Sequence, residues 1–198
     1  MTTTMTRTSV TTHKPVSTAA FVPSQRVSNK PQKEKRDNAI TLLMGQPVTA
    51  PCLIPVLHSS TPSCINNPFM VSGDCYNLTA MSFGSPHGAV FVDDLDALDI
   101  DTVGAALSSH VLFPKGANIV FVQAQDADAR SLNAKLWHRE DGNATYTAEA
   151  VSVAGTAALM LQKVLGTSAS ISMGGENFLV KWDRCGDGVS VTGPTTMV

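Results

Sequence analysis

Between residues 137 and 150 the chain gathers the side chains most able to do chemistry. Trp137, His138 and Arg139 are followed by Glu140, Asp141 and Gly142, and then by Tyr146, Thr147 and Glu149. From Glu149 the sequence runs into "EAVSVAGTAALMLQKVL", a stretch of small and apolar residues that reads as a helix. A helix start offers four unpaired backbone N–H groups and the positive end of the helix dipole, the usual ingredients of an anion site. Such sites favour glycine, yet here the first turn holds Ala148, Glu149 and Ala150. A carboxylate at Glu149 is favoured by the dipole and repels any second anion, and the two alanine β-carbons narrow the approach. The residues describe an anion site that has been filled in, or remade for another ligand.

The four cysteines, Cys52, Cys64, Cys75 and Cys185, are too widely spaced for a Cys-x-x-Cys redox or zinc signature. They read as reduced thiols of an intracellular protein, and no metal and no cofactor are expected. Charge is unevenly distributed. Residues 1–38 carry seven Lys or Arg against two acids, leaving seven against fourteen for residues 39–198, so the body is near -7 and offers no basic surface for nucleic acid. The longest apolar stretch falls well short of the ~20 residues that cross a bilayer, so no membrane span is expected.

The elements that must hold these residues begin after a boundary near residue 38. The first 38 residues, rich in Thr and Ser and without an acid before Glu34, read as a disordered or extended tail. The same composition suits a flexible leader, an organelle transit peptide or a polyanion-binding arm. From residue 39 onward "AITLLMG", "AVFVDD", "NIVFVQ", "LNAKLWH", "NFLVKW" and "GVSVTG" have the alternating or continuous apolar pattern of strands. "DIDTVGAALSSH" predicts a surface helix capped by Asp99 or Asp101, with Val103, Ala106 and Leu107 as its apolar stripe. The second helix, about 149–165 and ending at Gly166, has no polar face and must be buried almost all round. Strands wrapped around that central helix would bury it, with Ala154, Gly155, Ala157 and Ala158 allowing close approach. The expected fold class is α+β.

Several stretches together resemble the C-terminal domain of diaminopimelate epimerase. They are "ITLLMGQPVTAPCLIPV", "MSFGSPHGAVFVDDLDALDIDTVGAALSSHVLFPKGANIVFVQ", "GGENFLVKW" and "GVSVTGPTTMV". The resemblance covers about residues 39–198, and its order of Gly-x-Pro-His, Val-Asp-Asp, Phe-Pro-x-x-x-Asn and terminal Thr-Gly-Pro is specific. It implies a strand-rich barrel around a helix, in an enzyme whose two such domains face each other across a cleft. Each domain there contributes one cysteine to a pair that moves an α-proton. The resemblance also implies that this chain lacks the N-terminal domain, which a 38-residue polar tail is too short to replace.

At the motifs themselves the chain departs from the family. Trp137, Arg139 and Gly142 match, but His138 stands where Glu is usual, and Ala-Cys-Gly-Thr-Gly becomes Tyr146, Thr147, Ala148, Glu149 and Ala150. Asn118 matches a substrate-contacting asparagine, while Ser85 replaces the asparagine before Pro86 and His87. A threonine hydroxyl is too weak an acid to act as the thiolate does near neutral pH. The resemblance then implies His138 and Glu149 as a replacement acid/base pair, with Ser85, Asn118, Arg139, Tyr146 and Thr147 as substrate-binding residues. The plainer reading leaves His138 on the surface, Glu149 and Thr147 as helix-end stabilisers, Arg139 paired with Glu140 or Asp141, Asn118 bonding backbone, and His87 fixing its turn.

Two functions follow. One is a divergent isomerase or cyclase-type enzyme working without cysteine on a small polar or amino-acid-like molecule. The other is a non-catalytic binding or scaffold protein, or a truncated relic of an epimerase. A domain built to face a partner keeps an exposed face, so a homodimer is expected. The expected location is cytoplasmic, or an organelle if the tail is a transit peptide.

Overall fold

The structure is a computed structural model and describes residues 39–54, 56, 63–125 and 131–197. The expectations for residues 1–38 lie outside the described residues. In chain order the elements are β1 (Ile40–Gly45), β2 (Asn67–Val71), β3 (Asp74–Ser82), β4 (Pro86–Phe91), α1 (Ile100–Ser108), β5 (Asn118–Ala124), β6 (Ser131–His138), β7 (Gly142–Ala144), α2 (Ala148–Met160), β8 (Ser168–Met173), β9 (Glu176–Asp183) and β10 (Gly188–Gly193). A short 3-10 turn, Thr195–Met197, follows. The α+β class holds.

The strands form one sheet in the order β1-β10-β9-β8-β6-β5-β4-β3-β2, with β7 added to the C-terminal half of β6. Two neighbouring pairs, β4 with β5 and β6 with β8, are parallel, and each needs a crossover. The first crossover carries α1 and the second carries α2. Past β1, Val48 exchanges backbone hydrogen bonds of 3.0 and 2.9 Å with Ser82 at the end of β3, joining the two flanks of the sheet. The sheet is thereby wound around α2, which packs against β1, β3, β4, β5, β6, β8, β9 and β10.

Every residue of α2 from Ala150 to Leu159 is buried, as its unbroken small and apolar composition requires. Gly155 allows the closest approach: a β-carbon there would lie 2.5 Å from Val180 Cβ in β9. The helix stops at Met160, five residues before the expected end. Leu161 caps it, Gln162 takes a left-handed φ of 55°, and the Lys163 N–H folds back to the Ala158 carbonyl, so the chain turns out of the barrel before Gly166. A second core lies on the other face of β3, β4 and β5 under α1. Asp99 caps α1 through the Thr102 N–H at 3.1 Å, and Gly104 of α1 lies directly against the Trp137 ring.

All six expected strands are present. Four others, β2, β3, β7 and β8, went unrecognised because their apolar pattern is diluted by Asn, Asp, Ser and Thr. The β4 strand starts at Pro86, three residues before the expected "AVFVDD", so His87 is a strand residue and not part of a turn.

Candidate functional site

Strand register brings the first two site residues together. In the parallel pair of β4 and β5, His87 is the direct neighbour of Asn118, and both are buried. His87 Nδ1 donates to the Ser85 carbonyl at 2.9 Å, which leaves Nε2 to accept from the Asn118 amide at 3.3 Å. Asn118 Oδ1 in turn accepts the Arg139 backbone N–H at 3.0 Å. One chain of hydrogen bonds therefore runs from the turn before β4, through two buried side chains, to the end of β6. Burial holds the His87 pKa below the ordinary histidine value. The Ser85 hydrogen bond and the Glu149 charge oppose that shift, whereas His138 and Arg139 reinforce it. The ring is neutral near pH 7, and Glu149, His138 and Arg139 all lie near enough to act on it.

The head of α2 closes the cluster. Thr147 has extended backbone angles and is the N-cap, its Oγ1 accepting the Ala150 N–H at 3.1 Å. Glu149, half-buried in the first turn, accepts a short hydrogen bond from the Ser85 hydroxyl. Its other oxygen lies so close over Gly84 that a β-carbon there would be 2.6 Å away, and Gly84 also has a φ of 135° that side chains rarely adopt. The helix end is thus occupied from within: one N–H by Thr147, and the surrounding positive potential by the Glu149 carboxylate.

The remaining expected residues point elsewhere. Tyr146 bonds Thr196 Oγ1 at 2.8 Å and meets the Phe178 ring edge-on at 5.1 Å, which ties the approach to α2 to the last turn of the chain. Arg139 donates to the Lys115 carbonyl and to Glu140, both at 3.1 Å, beside a cavity of about 680 Å³ bounded by Phe113, Pro114 and Gly116. Its guanidinium is engaged locally, and only its backbone joins the cluster. His138 Nδ1 lies 3.0 Å from Asp141 Oδ2 but out of line for hydrogen bonding, so this ring nitrogen is buried without an aligned partner. His138 and Glu149 are not hydrogen-bonded to each other, and each has its own neighbour.

Sequence reasoning missed the bond between Ser85 and Glu149 and the central place of His87. The register of "SPHGAVF" against "ANIVFV" could have revealed the second. Cys64 is buried, and its thiol pKa is raised by that burial; Cys52, Cys75 and Cys185 are exposed and free. None belongs to the hydrogen-bond cluster. Among the described residues no three His, Cys, Asp or Glu side chains converge as metal ligands would, and no helix is long and apolar enough to cross a membrane.

The sheet wound around one buried helix is similar in fold to two solved structures. A hydroxyproline epimerase from Agrobacterium vitis, solved with bound trans-4-hydroxy-L-proline, matches with a TM-score of 0.54 and 15% identity over 80% of this chain and 50% of its own. A probable proline racemase from Agrobacterium radiobacter, solved with carbonate, matches with a TM-score of 0.51 and 14% identity over 79% of this chain and 50% of its own. The chain belongs to the diaminopimelate epimerase family, whose sequence pattern matches residues 79–198. The diaminopimelate epimerase of Acaryochloris marina is 33% identical over 166 residues, which are 82% of this chain and 56% of that enzyme. That of Leptospira biflexa is 31% identical over 159 residues, 80% of this chain and 55% of the enzyme. The chain spans about half the length of the curated relatives it matches.

Proposed function

We propose that this domain binds a small amino-acid-like molecule on the face carrying Ser85, Asn118, His138 and Glu149 and moves a proton on it without a thiol. The observation that carries this reading is the Glu149 carboxylate, held by the Ser85 hydroxyl at the head of α2 beside a buried neutral histidine. A carboxylate with a movable hydroxyl donor can take a proton and return it, which a threonine at 147 cannot do at neutral pH. Ser85 would release its hydrogen bond as substrate arrives, and His138, with one ring nitrogen lacking an aligned partner, would serve as the second acid/base group. Arg139 would bind a substrate carboxylate only after leaving Glu140, an exposed pair worth about 0–1 kcal/mol.

Asymmetric chemistry at a carbon needs a wall on its other side. A facing domain would supply it, and a second copy of this chain in a homodimer is the arrangement we propose. Light scattering should then report about twice the 20.9 kDa chain mass. Ordinary diaminopimelate epimerisation is not expected, because that reaction in the family uses two opposed thiols and Thr147 stands at this domain's thiol position. We place the working protein in the cytoplasm, without cofactor.

A second reading is favoured by a specific observation: Thr147, Tyr146 and the Arg139 guanidinium are all satisfied by the protein itself. A domain that only binds or scaffolds would look this way. Incubating the protein with D- and L-amino acids in deuterated water separates the two, since proton transfer leaves α-deuterium and binding alone does not. Incorporation into diaminopimelate itself should remain at background.

A further inference from the structure

We propose that the opening in the sheet where β6 passes from β8 to β7 is a second ligand site, one that fits a free amino acid in its zwitterionic form. Residues 131–134 of β6 pair with β8, and residues 136–138 pair with β7. Lys135 sits at the change of partner. The diverging strands leave a cavity of about 570 Å³, roofed by the loop that leads into α1. It holds one cation and one facing carboxylate, Lys135 and Asp96, at 2.9 Å. The Asp96 side chain is 92% exposed, so water already competes for the pair and a ligand can exchange it at little cost.

Around that pair the lining has unused hydrogen-bonding capacity. Asn133 gives its oxygen to the Gln125 amide, leaving its own N–H groups directed to no partner among the described residues; the Thr145 and Ser172 hydroxyls are likewise unused. Leu95, Ile100 and Met173 form the buried apolar floor behind these polar groups. The roof is fixed, because Gln123 bonds both the Asp93 carbonyl and the Leu95 N–H and Lys135 bonds the Leu95 carbonyl. A simple anion would meet Asp96 in the cavity and the negative field of Asp93, Asp94, Asp99 and Asp101 on the same segment. A zwitterion meets no such penalty: its carboxylate pairs with Lys135 and Asn133 while its ammonium takes Asp96.

The site would also communicate with the cluster at α2. Thr145 lines the cavity and is two residues from the Thr147 cap, and the Gly174 backbone packs so closely on it that a β-carbon would lie 2.4 Å from Thr145 Cγ2. Occupancy would press on the segment that positions Glu149.

The test is calorimetric titration of the full chain with the proteinogenic L-amino acids, their N-acetyl derivatives and their methyl esters. Saturable binding of at least one free amino acid is expected, lost with either end blocked. Lys135→Met and, separately, Asp96→Asn should weaken it by about tenfold or more, whereas Lys181→Met, an exposed change on β9 outside the cavity, should leave it unchanged. Circular dichroism identifies a variant that fails to fold, in which case the other decides. Binding abolished by Glu149→Gln but kept by both Lys135→Met and Asp96→Asn would overturn this proposal and support the site at α2. Binding by none of the amino acids would overturn it while leaving that site to be judged by α-deuterium exchange.

Discussion

Replacing Gly155 by alanine should destabilise the protein, although helix propensity alone says the reverse. In an exposed helix the change would gain about 1 kcal/mol. Here the new β-carbon would lie 2.5 Å from Val180 Cβ and 2.7 Å from both its methyl groups. Carbon atoms rest at about 3.5–4.0 Å, so one side must yield by roughly 1 Å. Val180 cannot retreat, since it is fully buried in β9 and paired with Ala169 on one side and Val191 on the other. Overpacking of this kind costs about 1–3 kcal/mol, leaving a net loss of up to about 2 kcal/mol and a Tm lower by up to roughly 8 °C. Val180→Gly removes the β-carbon and both methyls that the new carbon meets. In the double variant the clash should be relieved, giving a coupling of about 1–2 kcal/mol in its favour. Urea denaturation followed by fluorescence of Trp137 and Trp182 measures all four proteins. A stabilising Gly155→Ala, or additivity within about 0.5 kcal/mol, would show that the sheet does not close on α2 as described.

Other expectations follow from the head of the helix and its neighbours. The folded-state pKa of His87 is lowered, so the unfolded chain takes the proton first; the contribution of His87 to stability is intact above about pH 6.5 and is lost as pH falls from there toward the folded value. Stability against pH should therefore slope by up to ~1.4 kcal/mol per unit in that window, and His87→Asn should flatten it. Thr147→Ala removes the N-cap and should cost about 1 kcal/mol, read as a lower urea midpoint, whereas Thr147→Ser should be nearly neutral. Ser85→Ala leaves the Glu149 carboxylate without its hydroxyl partner and should cost about 1 kcal/mol, read as a lower urea midpoint.

How much of this was legible in the residues differs by element. The barrel was readable from α2, because a helix with Ala, Gly and Val on every face has only one kind of surroundings available to it. Its far end was not, because the turn at Gln162 adopts a left-handed conformation without the glycine that usually announces one. Strand β8, "SASISM", buries Ala169, Ile171 and Met173 in strict alternation, yet its other positions are all serine and its apolar signal is weak. At the site, the Thr147 cap and the placement of Glu149 in the first turn follow from local rules. The contacts of Ser85 with Glu149 and of His87 with Asn118 span 64 and 31 residues and depend on strand register, which no local pattern encodes.

The central claim is that Glu149, and no cysteine, moves a proton on a small amino-acid-like substrate. Mass spectrometry of D- and L-amino acids after incubation with the protein in deuterated water tests it most directly. The account predicts α-deuterium in at least one of them, reduced by about 100-fold or more in Glu149→Gln and unchanged when the exposed Cys52, Cys75 and Cys185 are replaced by serine. Absence of exchange from every substrate, or exchange that survives Glu149→Gln and disappears with the cysteines, would contradict it.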